Sequence, residues 1–129
     1  MNIAAYCRVS TDKSDQLNSL ETQKKFFAEF AEKNGHNMVR LYADEGISGT
    51  KIKNRREFLR LMQDARQRQF EMVVVKDISR FARNTKESLE AVRELAALGV
   101  SVYFEEQNID TAQVSGEVLI AMFAALAQR

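Results

Sequence analysis

The sequence predicts an α/β fold, a mostly parallel sheet of four to five strands with helices on both faces. Three observations carry that prediction. Short apolar runs rich in β-branched residues recur at 3–10, 38–43, 72–75 and 100–104. Between them, apolar residues fall at i, i+3, i+4 and i+7, the period of an amphipathic helix. The stretches are punctuated by cap and glycine signals, and strict strand–helix alternation favours parallel strands joined by crossover helices.

Taken in order, the first run holds Ile3, Ala4, Ala5, Tyr6, Cys7, Arg8, Val9 and Ser10, and its apolarity is that of a central strand covered on both faces. Asn18, with Glu21 three residues on, reads as a capping box. It opens a helix with Leu20, Phe27, Phe30 and Ala31 as apolar positions and Asn34-Gly35 as its stop. Residues 38–43 give the second strand, and 44–53 a loop in which Gly46 and Gly49 supply backbone freedom. A second helix is expected from Asn54, with Phe58, Leu61, Met62 and Ala65 on one face. Residues 72–75 make the third strand, 77–83 a basic connection, and Asn84 with Glu87 a second capping box. The next helix turns Leu89, Val92 and Ala96 inward and ends at Gly99. After the fourth strand and an acidic turn, Val118, Leu119, Met122, Phe123 and Leu126 mark a last helix still running at Arg129. The lack of proline and that abrupt end suggest a domain excised from a longer protein.

With 129 residues, 45% hydrophobic and 29% charged, the chain has the makeup of one soluble globular domain. No apolar run approaches the roughly 20 residues of a membrane span. No basic stretch precedes an apolar one at Met1-Asn2-Ile3, so no signal peptide is expected. The lone Cys7 excludes an internal disulfide and suits a reducing cytoplasm. One histidine, His36, comes after a glycine turn and reads as a solvated loop residue, so neither a zinc site of His and Cys ligands nor a Ser–His–Asp triad is expected. There is no Gly-Lys-Ser/Thr phosphate loop and no Gly-x-Gly-x-x-Gly after the first strand.

Charge is unevenly spread. From 51 to 68, Lys51, Lys53, Arg55, Arg56, Arg60, Arg66 and Arg68 stand against Glu57 and Asp64, net +5. From 76 to 86, Lys76, Arg80, Arg83 and Lys86 stand against Asp77, net +3, so a chain of net +1 carries −7 elsewhere. That split fits a face built for a polyanion. It fits two solvated helix faces equally well.

Side chains alternate along a strand, so Tyr6, Arg8 and Ser10 share one face at the C-terminal strand edge, where open α/β sheets place their sites. An arginine in such a strand needs an anionic partner, and Asp44 at the end of the second strand is the candidate. One reading is a structural Arg8–Asp44 ion pair, with Ser10 merely capping the segment after the strand. The other is a nucleophilic serine. With no usable histidine, its activation falls to arginines, Arg55 and Arg56 from one basic segment and Arg80 and Arg83 from the other. Guanidinium forks suit phosphate oxygens, which favours phosphodiester chemistry over acyl transfer.

Four stretches then resemble one family, in its order and across nearly the whole chain. Tyr6-Cys7-Arg8-Val9-Ser10-Thr11 resembles the signature opening of the serine recombinases, the resolvase and invertase group. Asp44-Glu45-Gly46-Ile47-Ser48-Gly49 resembles their Asp-containing loop, and Ser79-Arg80-Phe81-Ala82-Arg83-Asn84 their paired-arginine segment. Ala124-Ala125-Leu126-Ala127-Gln128 resembles the start of their long helix. The resemblance implies a resolvase-like three-layer α/β/α fold, with 1–112 an N-terminal catalytic domain. Residues 113–129 would begin an oligomerisation helix, truncated here, with the DNA-binding domains absent.

It further implies that Ser10 is the nucleophile of site-specific DNA recombination, forming a 5′-phosphoserine link. Arg8, Arg80 and Arg83 would hold the scissile phosphate. Arg55, better than Arg56, matches the arginine opening the second helix, Gln23 the glutamine of the first helix, and Asp44 the acidic residue orienting the arginines. Arg8, Arg55, Arg56, Arg80 and Arg83 would be the DNA contacts. The implied partner is double-stranded DNA, in a homodimer and tetramer of the full-length protein, which would be bacterial or phage-encoded and act on DNA in the cytoplasm. No metal, other cofactor, membrane or small-molecule substrate is implied. Ser79 stands where the small resolvases carry an aspartate, and with the extended 46–50 loop it looks more like the large serine recombinases of the phage-integrase and mobile-element type. A non-catalytic DNA-associated module and a serine phosphatase-like phosphoesterase remain the alternatives.

Overall fold

The computed structural model of the chain describes residues 1–12, 14–46, 55–82 and 84–127. Its elements alternate as β1 (Asn2–Ser10), α1 (Leu20–Lys33), β2 (Asn37–Gly46), α2 (Arg56–Arg66), β3 (Met72–Val75), α3 (Thr85–Ala97), β4 (Ser101–Phe104), β5 (Ile109–Asp110) and α4 (Gly116–Ala127). Short 3-10 turns stand at Ile78–Arg80 and Thr111–Gln113. The sheet order is β2-β1-β3-β4-β5, with β1 to β4 parallel and β5 antiparallel on β4. This is the mostly parallel α/β sheet that the alternation predicts.

β1 and β3 are buried on both faces, as their unbroken apolar runs require. On one face α1 packs Phe27 and Ala31 against Ile3, Ala5, Cys7, Val9, Met72 and Val74. The opposite face carries the larger core, under α2, α3 and α4. There a line of edge-on ring contacts runs Tyr6–Phe58–Phe81–Phe104–Phe123, with centroids 5.3, 5.4, 5.8 and 6.4 Å apart, linking β1 to α4.

Several boundaries differ from the expectation for identifiable reasons. α1 is capped by Ser19, whose Oγ accepts from Thr22 N–H at 3.2 Å. Asn18 forms no capping box, because its side chain is engaged by Asp15 and Arg80. β2 runs on through Asp44 to Gly46, since its parallel pairing with β1 continues to Ser10 opposite Gly46. The expected start of the second helix, Asn54, lies outside the described residues, and α2 is described from Arg56. Asn84 does cap α3, accepting from Glu87 N–H at 2.9 Å. The inward stripe of α3 is Ser88, Ala91, Val92 and Leu95, while Ala96 faces solvent. Gly35 and Gly99, at φ +68° and +78°, end α1 and α3 in the left-handed conformation that favours glycine. In α4, Leu119 and Phe123 are buried, whereas Val118 and Ile120 are exposed.

Candidate active site at the C-terminal edge of the sheet

β1 delivers Tyr6, Arg8 and Ser10 along one face toward its C-terminal end, and register sets Arg8 opposite Asp44 and Ser10 opposite Gly46 on β2. Ser10 is half-buried, and its Oγ accepts from Asp12 N–H at 3.1 Å, which turns the chain away from the strand. Its own N–H donates to the Asn18 carbonyl at 2.8 Å, folding the segment between them back over the strand end. No other hydrogen bond engages the Ser10 hydroxyl among the described residues. His36 sits at the opposite, N-terminal end of the sheet beside Met1, its ring stacked obliquely on Phe30. Eight strand residues, roughly 26 Å, separate that end from Ser10, so His36 cannot act on it.

Asp44, 4% exposed, does something the sequence did not suggest. Its Oδ1 accepts from Glu57 N–H at 2.9 Å, and its Oδ2 accepts from Phe58 N–H at 3.1 Å and from the Tyr6 hydroxyl at 2.8 Å. The carboxylate thus caps the first turn of α2 from another element, and Arg55, at the N-cap position, supplies no cap of its own. The Arg8–Asp44 ion pair, one of the two readings open from sequence, is not formed. Arg8 instead donates to the main-chain carbonyl of Ser79 at 3.1 Å.

Arg80 and Ser79 lie on the 3-10 turn that leaves β3, whose N-cap Asp77 accepts from Ser79 N–H. Arg80 donates to Asn18 Oδ1 at 2.5 Å. Asn18 therefore ties the Ser10 main chain to the Arg80 side chain. Gln23, buried on α1, donates to the Leu17 carbonyl at 3.1 Å and anchors the same segment. Arg55 reaches from the start of α2 to Glu87 on α3 at 2.6 Å, with its guanidinium 4.5 Å from the Phe58 ring centroid. Its Nε is buried with no hydrogen-bond partner among the described residues. Arg56 is exposed at the first position of α2, and Arg83 lies outside the described residues.

Electrostatics mark the cluster. Burial pushes the Arg8 guanidinium below its ordinary value, and the charges of Arg80 and Arg55 add to the effect while Tyr6 and Asp44 oppose it. Among the described residues, neither Arg8 nor Arg80 has a carboxylate oxygen within 4.0 Å. Two arginines of α2 behave differently, Arg60 pairing with Glu57 and Arg66 with Glu94. The solvated-face reading of the charge split thus holds for Arg60 and Arg66. α2 presents a solvated, ion-paired face, and at the strand edge Arg8 and Arg80 have no carboxylate in direct contact among the described residues.

Asn18 escaped the sequence reading as a site residue because an asparagine before a helix reads first as a cap. Its signal was the pair of equally good caps, Asn18 and Ser19, of which the helix needs one.

Residues 3–129 match the family described as Resolvase, N terminal domain. The chain is 27% identical over 128 residues to a "Resolvase/recombinase" of Pseudomonas putida, covering 99% of this chain and 64% of that protein. It is 25% identical over 128 residues to the "Transposon Tn3 resolvase" of Escherichia coli, covering 99% of this chain and 63% of that protein. The chain thus spans less than two thirds of the length of these curated relatives. Among solved structures, the N-terminal catalytic domain of TP901-1 integrase superposes with a TM-score of 0.77 at 26% identity, covering 99% of this chain and 95% of that one. A resolvase family site-specific recombinase from Streptococcus pneumoniae superposes with a TM-score of 0.79 at 32% identity, covering 99% and 86%. The mostly parallel sheet with its flanking helices is the fold of solved serine recombinase catalytic domains. This chain belongs to the resolvase family of serine recombinases. No helix among the described residues is long and apolar enough to cross a membrane.

Proposed function

We propose that this domain catalyses site-specific recombination of double-stranded DNA through a covalent bond to Ser10. The observation that carries the reading is the grouping of Ser10 with Arg8 and Arg80, two guanidinium groups with no carboxylate partner among the described residues. Ser10 Oγ attacks the scissile phosphorus, giving up its proton to solvent, and the 3′ oxygen leaves and takes up a proton. The 5′ phosphate is then esterified to Ser10. After strand exchange the new 3′ hydroxyl attacks the phosphoserine, and Ser10 is released. Ester exchange conserves the bond, so neither a nucleotide nor a metal is required.

Arg8 and Arg80, with Arg83, neutralise the non-bridging oxygens as charge builds in the transition state. Arg55 joins them by exchanging Glu87 for phosphate, and Arg56 serves the DNA backbone. Asp44 acts through position, fixing Tyr6 and the start of α2 around the arginines, and Gln23 does so through Leu17. Four strands are cut in two duplexes, so four copies of Ser10 are needed, which fits dimers that pair into tetramers. The exposed Val118 and Ile120 on α4, within the proposed oligomerisation segment 113–129, offer an apolar contact for that assembly. The setting is bacterial or phage DNA in the cytoplasm.

The test is a covalent-adduct trap. The full-length gene product is mixed with supercoiled DNA carrying the flanks of its own gene, denatured, and compared with Ser10→Ala. An adduct present in the native protein and absent from Ser10→Ala is expected. Binding without an adduct would point to a DNA-associated module, and turnover of a small phosphate ester without DNA cleavage to a phosphoesterase.

A further inference from the structure

β3 and β4 pair in parallel as far as Val75 and Phe104. The ladder then continues into the turn before β5, where Glu105 N–H donates to the Val75 carbonyl and Glu106 N–H to the Lys76 carbonyl, both at 2.9 Å. At the next step the backbones part, because one chain turns into the 3-10 helix and the other into the hairpin. The side chain of Gln107 takes over there. Its Oε1 accepts from Ile78 N–H at 3.2 Å, and its Nε2 donates to Asp77 Oδ1 at 3.2 Å. An amide carries one carbonyl acceptor and N–H donors, as a peptide group does, so it can replace a missing strand residue.

The turn so held is the one that carries the arginine cluster. Asp77 Oδ1 also accepts from Ser79 N–H at 3.0 Å, and the Asp77 carbonyl accepts from Arg80 N–H at 2.9 Å. The Ser79 carbonyl in turn receives Arg8. We infer that Gln107 is a positioning residue for the cleavage reaction, setting the Ser79–Arg80 turn so that Arg8 and Arg80 both aim at the phosphate beside Ser10. This inference rests on the proposed recombinase chemistry.

The ionisable groups around the link are Asp77, Glu106, Glu105 and Lys76. Burial works against the Asp77 carboxylate, but hydrogen bonds from Ser79 and Gln107 outweigh it and keep Asp77 below the usual range. Glu106 is raised chiefly by its hydrogen bond with Asp77. A protonated glutamic acid at position 107 would reproduce the amide, its O–H donating to Asp77 and its carbonyl accepting from Ile78. Once ionised it would instead repel Asp77.

Adduct formation is measured for the full-length protein as native, Gln107→Met and Gln107→Glu, from pH 5.5 to 8.5, alongside DNA affinity and melting temperature. Gln107→Met is expected to lose roughly a hundredfold in cleavage rate at every pH, the scale of a misplacement near 1 Å, with DNA affinity unchanged. Gln107→Glu is expected to approach native cleavage at the acid end and to fall toward Gln107→Met as pH rises. Native-like cleavage by Gln107→Met, or a pH-independent defect in Gln107→Glu, overturns the proposal. Should the native protein itself form no adduct, the recombinase reading fails separately. Amide exchange at Ile78 and Ser79 then decides the positioning claim, which requires faster exchange at both in Gln107→Met.

Discussion

The guanidinium of Arg8 is bonded to the main-chain carbonyl of Ser79, 3.1 Å away, and not to the carboxylate of Asp44 across the β1–β2 pairing. A carbonyl oxygen offers a dipole and no net charge. Among the described residues Arg8 thus has no carboxylate in direct contact and stands beside the like charges of Arg80 and Arg55, with Asp44 acting on it only from a distance. That arrangement is unfavourable for folding and favourable for an anion arriving from solution.

Anion binding should therefore show in stability. Sulfate or phosphate at about ten times its dissociation constant stabilises the folded state by about 1.4 kcal/mol, which for a domain of this size raises the melting temperature by about 5 °C. Arg8→Met should melt higher than the native chain without the anion, since it removes a half-buried cation from a cationic cluster. It should also lose most of the anion-induced shift. An equal shift in both proteins would mean that the anion binds elsewhere.

Asp44 predicts a larger effect of opposite sign. Asp44→Ala leaves the Tyr6 hydroxyl and the two main-chain N–H groups it caps on α2 without their acceptor, at about 1 kcal/mol or more each. A loss of about 3 kcal/mol in urea unfolding is expected. Tyr6→Phe, which removes one donor and leaves Asp44 two others, should cost about 1 kcal/mol. If the two variants were equally stable, the cap on α2 would contribute nothing.

Tyr6 also sets a pH dependence. Burial first, then the charge and hydrogen bond of Asp44, hold its hydroxyl above the ordinary tyrosine value of 10.0. The unfolded chain releases this proton near pH 10 while the folded chain retains it. Stability from this group is thus complete below pH 10 and declines above it, by about 1.4 kcal/mol per pH unit. Native and Tyr6→Phe stabilities should run parallel up to about pH 9, the native curve then falling more steeply until the two meet. Parallel curves to pH 11 would show that Tyr6 ionises as readily folded as unfolded.

How much of this was legible in the sequence differs residue by residue. The β1 run and its side-chain alternation suffice to put Tyr6, Arg8 and Ser10 on one face, because a strand's period is local. Cap and glycine signals likewise mark both ends of α3. The partners of Arg8 and Asp44 were not legible, since each is chosen by tertiary contact. Asp44 is taken by the N–H groups of α2, which sequence reading leaves to an N-cap residue at the helix's own start. Gln107 looked like part of an acidic turn because its role depends on where β3 and β4 separate, a detail set by register between strands distant in sequence.

Asn18 gives the most direct test of the active-site geometry. Its carbonyl accepts from Ser10 N–H, and its Oδ1 accepts from Arg80. Asn18→Ala keeps the first contact, which is main chain, and removes the second along with the side-chain bonds to Asp15. Arg80 then loses its tether, and cleavage should fall roughly a hundredfold by misorientation, with DNA affinity and melting temperature little changed. A double-mutant cycle with Arg80→Gln separates this from a general loosening of the segment between Ser10 and α1. If Asn18 acts through Arg80, the double variant cleaves no more slowly than Arg80→Gln alone. If the two losses multiply instead, Asn18 acts on Ser10 by another route, and the link from Arg80 through Asn18 to Ser10 has no part in the chemistry.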